Sequence, residues 1–211
     1  SNESDEKAAV LLDRLIDAHS NPIDSLENIV KNSNVVVFGA GPSLKKTISH
    51  HKTFLENNII IAADGATSAL LESDLLPDVI VTDLDGKISD QIAANSRGSL
   101  VVIHAHGNNI DKLEKYVQKF EGTVIGTTQT NPQPFKNLYN FGGFTDGDRA
   151  IFLANHFSAN NIYLAGFDFN GEIGKYSFGK NKDKKIKLKK LEWCNYLINN
   201  IQKNNSNVHF L

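Results

Sequence analysis

What most limits the folds open to this chain is a series of short apolar runs that are continuous instead of alternating. They are Val35-Val36-Val37-Phe38, Ile59-Ile60-Ile61-Ala62-Ala63, Val79-Ile80-Val81, Leu100-Val101-Val102-Ile103, Thr123-Val124-Ile125-Gly126 and Ile162-Tyr163-Leu164-Ala165. A strand with one wet face alternates apolar and polar residues, whereas a run that is apolar at every position must be covered on both faces. Helical segments fall between the runs: Pro42 to Leu55, Thr67 to Glu72, Ile88 to Ala94, a helix capped by Asn109 through Leu113, Tyr116 and Val117, and one through Ala150, Leu153 and Phe157. Strands and helices in alternation describe a doubly wound, mostly parallel α/β sheet of the Rossmann-like kind.

The 211 residues suffice for one such domain with additions at its ends. Apolar positions Ala9, Leu12, Leu15, Ile16 and Ala18 predict a helix over residues 5–19, and Ser25 to Val30 a second, so residues 1–32 read as an N-terminal helical extension. Residues 33–211 read as the α/β domain, closing with an amphipathic helix around Trp193, Leu197 and Ile198 and a last strand, Val208 to Leu211. A net charge of −2 offers no general attraction to nucleic acid, and the apolar runs are too short to span a membrane. The amino end, Ser1 to Lys7, does not read as a signal peptide, and the cytoplasm is the expected location. The single cysteine, Cys194, excludes an intramolecular disulfide and a cysteine-based zinc cluster, and its helical surroundings predict a packed thiol.

The carboxyl ends of the predicted strands carry nearly all of the polar motifs, and in a doubly wound sheet ligands bind beyond those ends. Gly39-Ala40-Gly41-Pro42-Ser43 follows the first strand; its amides could receive a phosphate, or the glycines could simply turn the chain. Leu44 stands where a dinucleotide fingerprint has its third glycine. Asp64 ends the second strand, and Asp83-Leu84-Asp85-Gly86 ends the third. Two aspartates one residue apart can converge on a metal, with an Asp-Gly turn as the plainer alternative. His104-Ala105-His106 could put two imidazoles on one side of a strand, as metal hydrolases do, or contact phosphate. In Thr145-Asp146-Gly147-Asp148-Arg149, Thr145 can cap a helix whose first turn favours acids. Arg149 is then a surface ion-pair partner or a phosphate ligand. The lysine-dense stretch 175–190 is a solvated face or a lid over polyphosphate.

Taken together, Gly39 to Leu44, Ala63-Asp64-Gly65-Ala66, Pro77 to Gly86, His104-Ala105-His106-Gly107 and Gly142 to Arg149 resemble the archaeal-type 6-hydroxymethyl-7,8-dihydropterin pyrophosphokinases, relatives of thiamin pyrophosphokinase. The resemblance runs in order over about residues 33–200 and departs from the family pattern at Asn108, where that pattern has aspartate. It implies Mg2+-dependent transfer of pyrophosphate from ATP to the hydroxymethyl group of a reduced pterin, releasing AMP, on a route to folate or methanopterin-type cofactors. In this reading Asp83 and Asp85 hold Mg2+, and Asp64 touches a further metal or the ribose. Asp146 and Asp148 bind a second metal or orient the pterin. Gly39, Gly41, Pro42 and Ser43 receive the nucleotide, with Arg149, His104 and His106 adding contacts. The implied partners are ATP and a pterin, with no nucleic acid and no membrane, and a homo-oligomer is left open. Two other functions fit the same residues: a phosphoester hydrolase built on His-x-His and Asp-x-Asp, and a nucleotide- or sugar-binding module without catalysis.

Overall fold

The computed structural model describes residues 2–16, 23–169, 174–177, 184–204 and 207–211, with the backbone alone for 184–187 and 204. Eight strands form one sheet: β1 (Asn34–Phe38), β2 (Ile59–Ala63), β3 (Val79–Thr82), β4 (Leu100–Ala105), β5 (Val124–Thr128), β6 (Leu138–Tyr139), β7 (Asn161–Ala165) and β8 (Val208–Phe210). Their order is β6-β5-β4-β3-β2-β1-β7-β8, and every neighbouring pair is parallel. The helices are α1 (Asn2–Ile16), α2 (Ile23–Val30), α3 (Leu44–Glu56), α4 (Ala66–Leu71), α5 (Ile88–Ser96), α6 (Ile110–Tyr116), α7 (Asp146–His156) and α8 (Lys184–Asn204).

The continuous apolar runs are explained by what covers each face. Val35, Val37, Ile61, Val81 and Val102 pack with α2, α7 and α8. The intervening residues point the other way: Val36, Phe38, Ile60 and Ala62 onto α3 and α4, and Val101 and Ile103 onto α1 and α6. A period of two along each strand therefore serves two cores at once.

The strand order reverses direction between β1 and β7. The chain steps outward from β1 to β6 and then crosses back to lay β7 on the other side of β1. At such a switch point the connections leave the sheet on opposite faces and open a crevice at the carboxyl ends of the two central strands. The predicted doubly wound class, with helices at both termini, is what the chain forms. Two details differ from the sequence reading. A two-residue strand, β6, lies between the fifth apolar run and α7, where no apolar run marks it, because it is too short to leave a periodic signal. Residues 17–19 of the predicted first helix lie outside the described residues.

Helix α1 lies on the sheet and does not stand apart from it. Ala8, Ala9, Leu12 and Ile16 are completely buried in one core with Ile103, Leu113 and Val124, and the Asn137 amide donates to Asp13 Oδ1 at 2.8 Å. Among the described residues no helix is long and apolar enough to cross a membrane. Leu12→Ala is expected to lower the unfolding free energy by about 2–4 kcal/mol, the usual cost of emptying a fully buried leucine site. Chemical denaturation checks this; a loss under about 0.5 kcal/mol would mean that α1 is only loosely attached.

Candidate active site

Beyond the carboxyl ends of β1, β2, β3 and β7 the crevice opens into a cavity of about 480 Å3. Its wall is acidic: Asp64, Asp83, Asp85, Asp146 and Asp168 all line it. One carboxylate oxygen each from Asp64, Asp83 and Asp146 lies within 4.8 Å of the other two, and these three could hold a metal ion. They are the first polar residues after β2 and β3 and the first residue of α7, brought together from three parts of the chain by the parallel order of the sheet.

Each carboxylate is held from behind. Asp64 adopts φ of 42°, a left-handed conformation that aspartate tolerates better than most residues. Its Oδ1 accepts hydrogen bonds from Thr82 Oγ1 (2.8 Å), the Gly86 amide (3.0 Å) and Gln91 Nε2 (3.0 Å). A Cβ on residue 86 would lie 2.9 Å from both Asp64 carboxylate oxygens, which gives the glycine of Asp-Leu-Asp-Gly its structural reason. Leu84 also takes a left-handed φ, 64°, with its side chain fully buried and its amide donating to Thr82 Oγ1. This strained turn sends Leu84 into the core and leaves Asp83 and Asp85 on the cavity wall.

Asp83 Oδ2 meets His106 Nε2 at 3.2 Å. His106 Nδ1 accepts the Asn108 amide, so the ring proton sits on Nε2 and is donated to Asp83. Asn109 completes the brace: its side-chain NH2 donates to the carbonyls of Asp83 and His104, and its Oδ1 accepts the His106 amide. The residue expected to cap α6 thus ties two strand ends together and makes no side-chain cap bond.

The electrostatics follow from crowding. Burial, and then the charge of Asp83, push the Asp64 carboxyl up to about 6. Burial pushes Asp146 well above the usual carboxylate range; Asp83 and Asp64 add to the rise, and Arg149, with Nη1 3.5 Å from Asp146 Oδ1, opposes it. Like charges packed this closely favour a proton or a cation between them. Asp146 Oδ1 and Arg149 Nε are both buried without a hydrogen-bond partner.

The remaining predicted residues are distributed differently. Asp85 lines the cavity but lies outside the close trio and pairs with Lys112, a partner from α6 that nothing in the local sequence marks. Asp148 is completely buried and faces away from the trio. Its oxygens accept the Phe144 and Thr145 amides and the Thr145 hydroxyl in a capping box that fixes the start of α7. Much of the glycine turn is already occupied. The Gly39 amide bonds to Ala165, that of Gly41 to Gly166, and the Ser43 amide and hydroxyl both reach Asp168 Oδ2, at 3.0 and 2.9 Å. A Cβ on residue 41 would collide with that carboxylate at 2.1 Å. Pro42 sits between them, just ahead of α3. His104 and His106 do not join a metal group with the acids. His104 is buried against Thr127, and its ring stays neutral because burial, and then Arg149, push it down to about 2. Cys194, whose thiol burial pushes up to about 12, is a packed residue of α8, as expected.

Two contributors could not be read from the motifs. Asp5 of α1 accepts the Gly107 amide at 2.7 Å, and Ser4 and Asp5 line the cavity. Of the lysine-dense stretch, residues 178–183 and the side chains of 184–187 lie outside the described residues; Lys190 lines the cavity. Asp64→Asn tests the crowding. Asparagine keeps the oxygen acceptor and tolerates the backbone, while removing one charge. An acid whose folded pKa is raised holds more protons folded than unfolded, so its contribution to stability falls as pH climbs from about 4 to about 6. The metal-free variant should therefore be more stable than wild type at pH 7, by about 1 kcal/mol or 2–4 °C in Tm, with the gap closing near pH 4. Thermal melts in EDTA across pH 4–8 check this; a variant that is less stable at pH 7 would contradict it.

The chain is similar in sequence to known proteins over nearly its whole length. The family described as 6-hydroxymethylpterin diphosphokinase MptE-like matches residues 11–173. The chain is 43% identical to a 6-hydroxymethyl-7,8-dihydropterin pyrophosphokinase of Methanocaldococcus jannaschii, over 99% of this chain and 91% of that protein. It is 45% identical to one of Methanothermobacter thermautotrophicus (95% and 87% covered) and 46% to one of Pyrococcus furiosus (97% and 87%). Among solved structures, the MAf glycosyltransferase of Magnetospirillum magneticum AMB-1 is similar over 77% of this chain and 28% of that chain, at 16% identity and a TM-score of 0.47. With a family match over residues 11–173 and relatives this similar along nearly its whole length, the chain belongs to the MptE-like 6-hydroxymethylpterin diphosphokinase family.

Proposed function

We propose that this chain transfers pyrophosphate from ATP to the hydroxymethyl group of 6-hydroxymethyl-7,8-dihydropterin, releasing AMP, in the cytoplasm, with Mg2+ bound at Asp64, Asp83 and Asp146. Family membership and the names of its relatives support the diphosphotransferase reaction and the pterin acceptor. The observation that carries the site is the trio itself: oxygens within 4.8 Å, one buried without a hydrogen-bond partner, in a cavity at the sheet's switch point.

The donor set suits a hard divalent cation, because carboxylate oxygens are what Mg2+ takes along with phosphate and water. When bound, the cation would neutralise charge on the transferring phosphoryl groups. The chain's own residues do the remaining work. His106 holds Asp83 in place through Nε2, and the Asp148 capping box sets the first turn of α7 so that Asp146 faces the cavity. Arg149 presents a cationic edge beside Asp146 that can draw phosphate oxygens. Asp85 lines the cavity paired with Lys112, whose ammonium can turn to the charge of an incoming triphosphate. Because its amides are largely committed, we assign the Gly39–Ser43 turn to the shape of the nucleotide wall instead of a phosphate cradle. In-line attack by the alcohol then depends on positioning and charge stabilisation.

The reading that rests on His104 and His106 as a hydrolase centre has less support, since His106 Nε2 is committed to Asp83 and neither imidazole groups with the acids as a metal ligand. Incubation with ATP, Mg2+ and the pterin, analysed by mass with thiamin as a parallel acceptor, should give AMP and pterin diphosphate in equal amounts. Folded protein that binds ATP yet forms neither would overturn the proposal. Asp83→Asn should lower kcat by about 10²-fold or more while leaving the circular dichroism spectrum unchanged; a folded variant of normal kcat would remove Asp83 from the mechanism.

A further inference from the structure

A second, smaller cavity of about 200 Å3 opens on the α7 face of the sheet, beside the acidic one. Val81 and Val102 from the strands, Leu153 from α7 and Phe141 give it apolar walls, and Thr127, Thr128, Gln129 and Asn140 line it beside His104 and Arg149. Two of these lining residues carry a polar atom that is buried without a hydrogen-bond partner: His104 Nε2 and Arg149 Nε. Buried polar groups are rarely left unpaired, and here two of opposite character line one space.

The proton positions can be worked out. Thr127 lies opposite His104 in the parallel register. Its hydroxyl donates to the Ile103 carbonyl (3.3 Å) and so receives the hydrogen bond from His104 Nδ1 (3.0 Å). The ring proton is then on Nδ1, and Nε2 is a bare acceptor. It can take an N–H from a ligand but has nothing to offer a phosphate. Arg149 Nε can only donate. The ligand that fits is a flat heterocycle whose faces pack on the apolar walls and whose edge carries an N–H and a carbonyl oxygen. Arg149 and Gln129 line this cavity and the acidic one alike, so a group attached to such a ring reaches the carboxylate trio directly.

We infer that this smaller cavity receives the pterin ring, with His104 Nε2 accepting an N–H of its pyrimidinone edge, Arg149 Nε–H donating to its carbonyl, and the hydroxymethyl arm extending toward Asp64, Asp83 and Asp146. The assignment rests on the pyrophosphokinase reading and makes His104 a specificity-determining residue, not a metal or phosphate ligand.

Calorimetric titration of the full chain with 6-hydroxymethyl-7,8-dihydropterin, in the presence of Mg2+ and a non-hydrolysable ATP analogue, tests it. His104→Ala should weaken pterin binding at least tenfold and leave affinity for the analogue within twofold of wild type. His104→Gln, which restores an acceptor oxygen, should recover part of the loss. In wild-type protein labelled with 15N-histidine, the His104 Nε2 resonance should move upfield when the pterin is added and stay in place with the analogue alone. This second measurement needs no variant to fold. Unchanged pterin affinity in His104→Ala, or an Nε2 resonance that does not move at saturating pterin, would overturn the assignment. Wild type that makes pterin diphosphate while either of those holds would overturn this inference alone, whereas wild type that neither binds nor converts the pterin would overturn the underlying reading as well.

Discussion

Three carboxylates crowded at the end of a parallel sheet repel one another, and the surrounding structure is built to hold them against that repulsion. The residues that do so are not themselves chemical. Thr82, Gln91 and the Gly86 amide converge on one oxygen of Asp64, and Asn109 and His106 fix Asp83. The capping box of α7 fixes the turn that bears Asp146. Left-handed backbone at Asp64 and at buried Leu84 adds local strain of the sort that persists only where neighbours enforce it. The sheet supplies the stiffness for all of this, with both faces of β1 to β5 packed under helices. A cation relieves an arrangement that would otherwise only cost stability.

The switch in strand order explains why the acids meet where they do. Between β1 and β7 the connections leave on opposite faces, and the larger cavity opens there. The smaller cavity lies on one side of it, under the N-terminal half of α7, and Arg149 and Gln129 border both. Two adjoining spaces, one acidic and one of mixed walls beside an unpartnered imidazole nitrogen, suit the proposed reaction between a charged phosphate donor and a neutral heterocyclic alcohol. Helix α1 closes the far side by packing on β4 and β5 and bringing Asp5 to the Gly107 amide.

The sheet was legible because burial on both faces leaves an unbroken apolar run for each long strand, and the polar residues that follow mark one edge as the site. Asp64 and Asp83 stand out as candidates for that reason, and Asp146 does so through the acidic first turn of the helix that Thr145 caps. What could not be read was which donors each acid already meets. Asp85 looks equivalent to Asp83 in the sequence, yet Lys112, 27 residues further on, takes it. Asp148 looks equivalent to Asp146, but one position along a helix start turns it from the cavity into the capping box. The glycine turn carries the residues of a phosphate site, while Asp168, 125 residues away, satisfies Ser43. Such partners are set by tertiary packing, and only the fold discloses them.

The central claim, that Asp64, Asp83 and Asp146 form the cation centre of the proposed reaction, is tested most directly by Mn2+ titration followed by electron paramagnetic resonance, in the presence of a non-hydrolysable ATP analogue. Wild-type protein should bind Mn2+ tightly, and Asp83→Asn and Asp146→Asn, each folded by circular dichroism, should lose that binding by at least tenfold. Variants that bind Mn2+ as wild type does would show that the trio is not where the cation sits.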